Sequence, residues 1–368
     1  MRVVVSAGGT GGHIYPALAI VNKIKEMEPG SEILYIGTTD RMESVIIPKM
    51  KINYIGIEMQ GLNRKNIFKN FKVISSLQKA YKECKKVINE FNPDIVLGVG
   101  GYITFPVIKA AHDLGYKCFI HEQNSIPGLS NRILKRYATV IGVSLESSLK
   151  YFDKTKTFFT GNPRSEEVIN SRKVLKSKYG LKSKYGLKSE KKLVLIVMGS
   201  LGSQTINNIM KTIIPKFKAK DYEVLFVSGK NYYDEYSKMN NIPNNVKIVD
   251  FLDNMPGLLK NTDIIVSRAG ASTIAEITAA ELPSILIPSP YVTHNHQYKN
   301  AKVLEQAGAS VLIEEKDLNA EILLSKIDDI LNDKVKYISM KQEASKLCIK
   351  NSATTIYNIL RKTIDGDK

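Results

Sequence analysis

The sequence predicts an α/β fold made of two doubly wound domains that follow one another along the chain. Three observations support this prediction. The chain has 368 residues, which is enough for two domains that each bury their own core. Short apolar, β-rich runs alternate with helical stretches, the pattern of parallel sheets covered by helices. A new first strand begins near residue 193, after one complete series of strands and helices.

Ten strands are predicted from the apolar runs. In the first half they cover residues 3–6, 33–36, 95–98, 118–121 and 140–143. Helices lie between them, for example over residues 16–27 and 105–114. In the second half the predicted strands cover residues 193–198, 224–228, 246–249, 264–267 and 284–287.

The predicted domain boundary is the turn-rich tripeptide Gly161-Asn162-Pro163, because it ends the first series of strands and helices. The domains would then cover residues 1–162 and 163–368, and the last helix is a candidate to pack back on the first domain. Beyond the boundary, the hexapeptide at residues 176–181 is repeated at residues 182–187. One duplicated hexamer is too little for a repeat architecture, so it is interpreted as an expanded surface loop without function.

Composition and charge narrow the class of protein. The net charge is +17 and the pI is about 9.5, so the surface should attract an anionic partner such as nucleic acid, acidic lipid or a phosphorylated substrate. Zinc-finger spacing and RNP-like aromatic motifs are absent from the sequence, which disfavours nucleic acid. The three cysteines show no CxxC spacing, as expected in a reducing cytoplasm without structural zinc. Neither a signal peptide nor an apolar run of membrane-spanning length is found.

Glycine-rich turns follow two predicted strands of the first half. Residues 8–13 read Gly-Gly-Thr-Gly-Gly-His, and residues 98–102 read Gly-Val-Gly-Gly-Tyr. Glycines let backbone N–H groups approach an anion, and the start of a helix adds a favourable dipole. Neither turn is a dinucleotide or P-loop motif. They are interpreted as diphosphate-compatible turns in the crevice at the carboxyl edge of one sheet, with a purely structural tight turn as the alternative for the first.

The predicted strand that ends at residue 121 runs into His121-Glu122-Gln123-Asn124. Four consecutive polar side chains at the carboxyl end of a strand suit hydrogen bonding to a sugar, and an unremarkable polar loop is the alternative. In the second half, residues 199–203 and 268–273 form two further small-residue turns, which would hold a diphosphate without a metal. Glu276 is expected on the first turn of the next helix, either on ribose hydroxyls or as a partner of the helix dipole.

Metal binding is not expected. His294-Asn295-His296-Gln297 precedes a predicted helix, but no carboxylate or cysteine lies near it in the sequence to complete a ligand set. An Asp-x-Asp motif at a strand end is also absent, so we expect no catalytic divalent ion and no cofactor.

Together these motifs give a sequence that resembles the MurG family of GT-B glycosyltransferases over nearly the whole chain. The resemblance rests on residues 8–13, 98–102, 121–124, 161–164 and 267–276. It implies two Rossmann-like domains that face each other across a cleft. It also implies an inverting, metal-independent transfer of N-acetylglucosamine from UDP-N-acetylglucosamine to the C4 hydroxyl of undecaprenyl-diphospho-N-acetylmuramoyl-pentapeptide, a step of peptidoglycan synthesis.

The resemblance also implies roles for individual residues. The second domain would bind the UDP-sugar and the first would face the acceptor and the membrane. The backbone near Leu252 would read uracil, Ser200 and Arg164 would contact phosphate, and Gln297 would bind the sugar hydroxyls. Diphosphate and ribose would be held by Ala271, Ser272, Thr273, Ile274, Ala275 and Glu276. The reacting sugar and acceptor would be faced by Thr10, Gly11, Gly12 and Asn124. The sequence departs from the family pattern at Met198, where a glycine is usual.

Two residues are candidates for the general base that takes the proton of the acceptor hydroxyl. His13 is favoured because an unperturbed imidazole titrates near neutral pH, and Glu122 is the alternative. A structural hydrogen bond at the turn is the competing interpretation of His13.

The segment from residue 61 to residue 90 is a candidate for membrane contact, because it holds eight basic residues against two acidic ones, interleaved with apolar residues that include Phe68. Such a segment can lie on anionic lipid at the cytoplasmic face of the membrane. Its apolar stripe has helical spacing and can equally belong to the core. The rival activities are a diacylglycerol glycosyltransferase and a UDP-N-acetylglucosamine 2-epimerase, whereas the missing dinucleotide motif argues against an oxidoreductase.

Overall fold

The computed structural model describes residues 1–59, 70–171, 184–188, 190–199, 202–292 and 295–366, leaving aside the side chains of residues 70–74. Strands and helices alternate along these ranges, which confirms the predicted α/β class. The strands of the first half are β1 (Arg2–Ser6), β2 (Glu32–Thr38), β3 (Asn53–Ile57), β4 (Ile95–Gly98), β5 (Lys117–Glu122), β6 (Val140–Val143) and β7 (Thr157–Phe159). Its helices are α1 (Gly11–Met27), α2 (Met42–Lys49), α3 (Asn70–Phe91), α4 (Thr104–Asp113) and α5 (Leu129–Leu134).

The second half continues the alternation. Its helices are α6 (Arg164–Asn170), α7 (Gln204–Ile213), α8 (Tyr233–Ser237), α9 (Met255–Leu259), α10 (Ala271–Ala279), α11 (His296–Gln306), α12 (Ala320–Asn332), α13 (Lys334–Lys346) and α14 (Ser352–Asp365). Its strands are β8 (Leu193–Val197), β9 (Glu223–Val227), β10 (Val246–Val249), β11 (Ile264–Ser267), β12 (Ser284–Leu286) and β13 (Ser310–Leu312). All ten predicted strands are present, and β3, β7 and β13 are additional.

The chain divides into two compact units. Unit 1 comprises Met1–Arg164 together with Asn351–Lys368, and unit 2 comprises Ser165–Lys350. The division falls two residues after the predicted end of the first domain at residue 162. Helix α14 belongs to unit 1, where Ile356 and Leu360 join the same core cluster as α1. Lys117 of β5 donates hydrogen bonds to the carbonyl oxygens of Thr363 and Ile364 at 2.6 and 2.9 Å.

Unit 1 is built on a seven-stranded sheet in the order β3-β2-β1-β4-β5-β6-β7, with every neighbouring pair parallel. Two apolar clusters cover the sheet. One contains residues of α1, α2 and α14, and the other contains residues of α3, α4 and α5. Because both faces are covered, the central strands are almost wholly apolar, as Val3, Val4 and Val5 of β1 illustrate.

Unit 2 repeats this plan with six parallel strands in the order β10-β9-β8-β11-β12-β13. In each sheet the strand order reverses once, between β1 and β4 in unit 1 and between β8 and β11 in unit 2. Ligands of open α/β sheets bind at such a switch point, beyond the carboxyl ends of the strands. The four glycine-rich or small-residue turns predicted from the sequence follow these four strands.

Several sequence predictions need correction in detail. Helix α1 begins at Gly11 rather than at residue 16. The repeated hexapeptide is only partly described, since residues 172–183 lie outside the described ranges. Its last residue, Leu187, is 3% exposed and belongs to a core cluster of unit 2. The end of the second copy is therefore part of the core and not a surface loop.

The basic segment predicted for membrane contact is also described only in part. Residues 60–69, including Phe68, lie outside the described ranges. In the described part of α3, Ala80, Cys84 and Ile88 are buried in the core of unit 1, so this stretch of the apolar stripe follows the core interpretation. Across the described ranges, the chain contains no helix whose length and apolar character would suffice to cross a membrane.

Candidate active site

The two glycine turns of unit 1 pack against each other at the switch point. The backbone N–H of Gly8 donates to the carbonyl oxygen of Gly100 at 3.1 Å. Gly100 and Gly101 have φ angles of +114° and +94°, which side chains with a Cβ rarely adopt. A Cβ on Gly101 would lie 2.5 Å from the carbonyl oxygen of Gly8. Glycine is therefore required here by both the backbone conformation and the close packing of the two turns.

His13 lies in the first turn of α1 and is half-buried. Its Nδ1 is 3.1 Å from the carbonyl oxygen of Gly8. A carbonyl oxygen only accepts hydrogen bonds, so this contact favours the neutral tautomer with the proton on Nδ1 and the lone pair on Nε2. The imidazole ring also packs against Gly100. The arrangement is that of an oriented imidazole whose Nε2 can accept a proton.

The predicted residues beside His13 form the start of helix α1. Thr10 is the N-cap residue, and its carbonyl oxygen accepts hydrogen bonds from the backbone N–H groups of His13 and Ile14 at 3.1 and 3.2 Å. Thr10 and Gly12 are exposed, whereas Gly11 is buried. The structure thus brings Thr10, Gly11, Gly12 and His13 together at the amino end of a 17-residue helix, where the dipole favours negative charge.

A buried carboxylate beneath this turn was not predicted from the sequence. Glu43 of α2 is fully buried. Its oxygens accept hydrogen bonds from the backbone N–H of Gly9 at 3.0 Å and from the backbone N–H and hydroxyl of Thr38 at 3.2 and 2.8 Å. In the sequence Glu43 is one carboxylate near the start of a helix, and nothing in the pattern marks it as buried.

The polar run after β5 is mostly internal, which corrects the expectation that all four side chains bind a sugar. His121, Glu122 and Gln123 are 0–2% exposed. His121 Nε2 lies 3.2 Å from the carbonyl oxygen of Gly161, and Gln123 donates to the carbonyl oxygen of Val99 at 3.0 Å. Burial lowers the pKa of His121 to about 4, so the ring is neutral at physiological pH. These side chains fix loops around the sheet edge.

Glu122 anchors the loop that leads into α5. One oxygen accepts from the backbone N–H and the side-chain amide of Asn124 at 2.9 and 3.1 Å. The other accepts from the backbone N–H of Gly128 and the side chain of Asn131 at 3.0 and 2.9 Å. A carboxylate that is buried and accepts four hydrogen bonds from its own loop and helix has a structural role. The geometry favours His13 over Glu122 as the base. Asn124 is half-buried at the surface of this cluster.

Arg164 is held within unit 1. Its backbone N–H donates to Asn162 Oδ1 at 3.1 Å, and its guanidinium carbon lies 5.3 Å from the centre of the Tyr15 ring. The side chain is 5% exposed. Its predicted contact with a phosphate stays a prediction.

The glycine turn after β8 stands at the switch point of unit 2. Ser200, its predicted phosphate ligand, lies outside the described residues. A Cβ on Gly202 would lie 2.6 Å from the carbonyl oxygen of Ser228, so only glycine fits. Buried Arg268 connects the surrounding elements: it donates to the Ser203 hydroxyl and the Ile287 carbonyl, each at 3.1 Å, and forms an ion pair with Glu315.

The amino end of α10 follows β11 at the same switch point. Gly270 is the N-cap residue. Ala271, Ser272, Thr273 and Ala275 are half-buried, and Ile274 is 7% exposed within the core. Glu276 is half-buried and lies in the second turn of α10, not in the first as expected. This position weakens its interpretation as a dipole partner, because that effect falls off within the first turn.

Gln297 is oriented by the loop after β12. The backbone N–H of Ser289 donates to Gln297 Oε1 at 2.9 Å. Since a backbone N–H needs an acceptor, the amide oxygen must face Ser289 and the amino group is turned to the other side. Gln297 can therefore offer hydrogen-bond donors to sugar oxygens. Leu252, expected near uracil, is 6% exposed in the core, which fixes the backbone that carries it.

Metal ligation receives no support within the described ranges, where His, Cys, Asp and Glu side chains form no group of three or more that could hold an ion. His294 lies outside those ranges, and His296 starts α11.

Comparison with known proteins identifies both halves of the chain. The profile of the glycosyltransferase family 28 N-terminal domain matches residues 3–143, and the C-terminal domain profile matches residues 193–356. A relative from Bacillus thuringiensis (strain Al Hakam) is 45% identical over 367 residues, which cover 99% of this chain and 100% of the relative. Its name is UDP-N-acetylglucosamine–N-acetylmuramyl-(pentapeptide) pyrophosphoryl-undecaprenol N-acetylglucosamine transferase 2. A relative from Halalkalibacterium halodurans, named as the same transferase without a number, is 43% identical over 98% of this chain and 99% of its own length.

Solved structures show the same architecture. The crystal structure of MurG from Acinetobacter baumannii matches with a TM-score of 0.72 at 23% identity, over 98% of this chain and 99% of that chain. A putative UDP-N-acetylglucosamine 2-epimerase from Listeria monocytogenes matches with a TM-score of 0.74 at 15% identity, over 100% and 97% of the two chains. At these identities the likeness concerns the fold, and it confirms the GT-B class expected from the sequence.

Proposed function

The chain belongs to glycosyltransferase family 28, and we propose that it transfers N-acetylglucosamine from UDP-N-acetylglucosamine to undecaprenyl-diphospho-N-acetylmuramoyl-pentapeptide in peptidoglycan synthesis. The observation that carries the choice of substrates is the 45% identity over 367 residues to a relative named for this transfer. The architecture supports a nucleotide-sugar enzyme, because each sheet has paired small-residue turns at its switch point.

We assign the donor to unit 2. The turn after β8 and the amino end of α10 present backbone N–H groups and positive dipole ends, which suit a diphosphate. Glu276 lies one turn further along α10 and is assigned to the ribose hydroxyls. Gln297, whose amino group is turned away from Ser289, is assigned to the hydroxyls of N-acetylglucosamine.

We assign the general base to His13. In the proposed reaction Nε2 takes the proton from the C4 hydroxyl of the acceptor while the oxygen attacks the anomeric carbon. The bond from that carbon to the UDP oxygen breaks, and UDP leaves from the opposite face with the bonding electron pair. Attack from the face opposite to the leaving group inverts the anomeric centre. The charge on the departing diphosphate is stabilised by the helix ends of unit 2 and by Arg164.

The proposal includes neither metal nor cofactor, because electrostatic stabilisation of the diphosphate is assigned to backbone N–H groups and arginine. It further includes peripheral binding to anionic lipid at the cytoplasmic face of the membrane and no binding of nucleic acid. The net charge of +17 supports attraction to an anionic surface. On α3, Lys82 and Lys86 are exposed, whereas Cys84 and Ile88 are buried.

The test is transfer of radiolabelled sugar from UDP-N-acetylglucosamine to a lipid-linked muramoyl-pentapeptide analogue with EDTA present. Label in the lipid product supports the acceptor class and the metal-independent reaction. Transfer that appears only when Mg²⁺ replaces EDTA would overturn metal independence alone. Label on diacylglycerol, or 2-epimerised nucleotide sugar without lipid product, would move the assignment to one of the rival activities.

A further inference from the structure

The carboxylate of Glu43 and the imidazole of His13 bind opposite ends of one peptide group. Glu43 Oε2 accepts a hydrogen bond from the N–H of Gly9 at 3.0 Å. His13 Nδ1 lies 3.1 Å from the carbonyl oxygen of Gly8. The Gly8 carbonyl and the Gly9 N–H belong to the same planar peptide unit. A continuous chain therefore runs from the carboxylate through the Gly8–Gly9 peptide to Nδ1.

The carboxylate end of this chain is held firmly. Glu43 is fully buried, and Thr38 donates to its Oε1 from both the backbone N–H and the hydroxyl. A Cβ on Gly8 would lie 2.4 Å from Oε1, and a Cβ on Gly37 would lie 2.7 Å from Glu43 Cγ. The side chain is thus closely packed by two glycines. Because a buried charge that loses its donors is costly, these hydrogen bonds resist rearrangement.

The imidazole end is oriented by the same peptide. Hydrogen bonds in a chain polarise one another, so an anion on the Gly9 N–H makes the Gly8 carbonyl a stronger acceptor. A stronger acceptor holds the proton on Nδ1 and leaves the lone pair on Nε2. The logic is that of a carboxylate that orients a catalytic histidine, with a peptide group inserted between the two side chains.

We infer that Glu43 is a positioning residue for the glycosyl transfer: through the Gly8–Gly9 peptide it holds His13 in the orientation and tautomer that present Nε2 as the base. This inference rests on the proposed function, in which His13 is that base. Glu43 itself is buried and does not touch the substrate.

The substitution Glu43→Gln tests the inference because it keeps the shape and removes the charge. If the amide oxygen stays on Thr38, an NH₂ group faces the Gly9 N–H and the chain is broken. The kcat for transfer should fall about 10- to 100-fold, in line with the cost of a misplacement of about 1 Å. The affinity for UDP, measured by calorimetry, should stay unchanged because the donor is assigned to unit 2.

A double-mutant cycle separates positioning through His13 from a general structural defect. His13→Ala should lower kcat by about 10²- to 10⁴-fold, the usual value of a general base. In that background Glu43→Gln should cause no further loss, because the group on which it acts is gone. If the double variant instead shows the product of the two single-variant losses in kcat, the inference is overturned. Glu28→Gln is the matched control: Glu28 is another carboxylate of unit 1, bound to the Met1 amine and the Tyr357 hydroxyl at 2.9 Å each, and its loss should leave kcat unchanged.

Nitrogen-15 NMR of His13 in the resting full-length protein gives a readout without activity. The wild type should show a protonated Nδ1, and Glu43→Gln should show a mixture of tautomers; an unchanged spectrum would overturn the inference. If Glu43→Gln does not fold, Thr38→Val offers a second test because it removes one hydrogen-bond donor to Oε1. It should lower kcat several-fold in the wild-type background and cause no further loss in the His13→Ala background. Should His13→Ala keep full activity, the base assignment fails, and the spectrum still decides whether Glu43 orients His13.

Discussion

A methyl group at residue 100 should displace the proposed base without altering its chemistry. A Cβ on Gly100 would lie 2.5 Å from His13 Cδ2 and 3.0 Å from Nε2. Carbon atoms in contact are about 3.5–4.0 Å apart, so the ring must retreat by about 1 Å. A misplacement of that size costs on the order of 10²-fold in rate. The φ of +114° at this residue adds backbone strain of about 1–3 kcal/mol to the substitution.

The assay compares Gly100→Ala with Gly115→Ala. Gly115 also has a positive φ, +83°, but, apart from Gly115 itself and its two chain neighbours, no described residue has an atom within 4 Å of a Cβ built there. Both variants should lose stability in thermal unfolding because both carry backbone strain. Only Gly100→Ala should lose about 10²-fold in kcat, with the Kd for UDP unchanged. Equal kcat values in the two variants, at saturating substrates, would refute the argument that the position of His13 limits the reaction.

Three further predictions concern the sugar, the pH dependence of stability and the membrane. Gln297→Leu should weaken UDP-N-acetylglucosamine binding about fivefold through the loss of a hydrogen bond worth about 1 kcal/mol. Calorimetry with UDP alone should show no change, and equal losses for both ligands would contradict a sugar contact. Burial lowers the pKa of His121 to about 4 in the folded state, against 6.5 when the side chain is exposed. As the pH drops from 6.5 towards 4, the unfolded chain therefore takes up a proton before the folded chain does. The free energy of unfolding should fall by about 1 kcal/mol per pH unit in this range. Urea unfolding across this range should show that slope in the wild type and a weaker one in His121→Asn, and identical slopes would exclude the histidine as its source. Sedimentation with anionic vesicles should show binding that is weakened by salt and by Phe68→Ser, and insensitivity to both would count against the membrane proposal.

The parts of the fold that were predictable are those where burial leaves a mark in the sequence. Strands such as β1 and β11 are buried on both faces and read as unbroken apolar runs. Strand β3 was missed because its sequence Asn-Tyr-Ile-Gly-Ile mixes polar and apolar residues. Strands β7 and β13 are three-residue strands at the edges of their sheets and are only partly buried, so no clear apolar run marks them. Strand β12 is equally short but fully buried, and its apolar run was visible.

For the candidate site, turns were predictable and buried charges were not. Glycines at a strand end indicate a turn directly, because glycine adopts a positive φ without the steric cost of a Cβ. The burial of Glu43 depends on Gly8, Gly37 and Thr38, which are brought around it only by the folded sheet. The internal position of Glu122 has the same origin, since its partners Gly128 and Asn131 lie on the following loop and helix. A linear sequence shows such carboxylates as ordinary polar residues.

The assignment of α14 to unit 1 has a consequence for the order in which the protein is made. The chain leaves unit 1 at Arg164 and returns at Asn351, so the ribosome must synthesise all of unit 2 before the last helix of unit 1 exists. At roughly 5–20 residues per second this delay is on the order of ten seconds or more. Until then the apolar surface that Ile356 and Leu360 will cover stays open to water or to a chaperone. The unit whose synthesis starts first is therefore the one completed last.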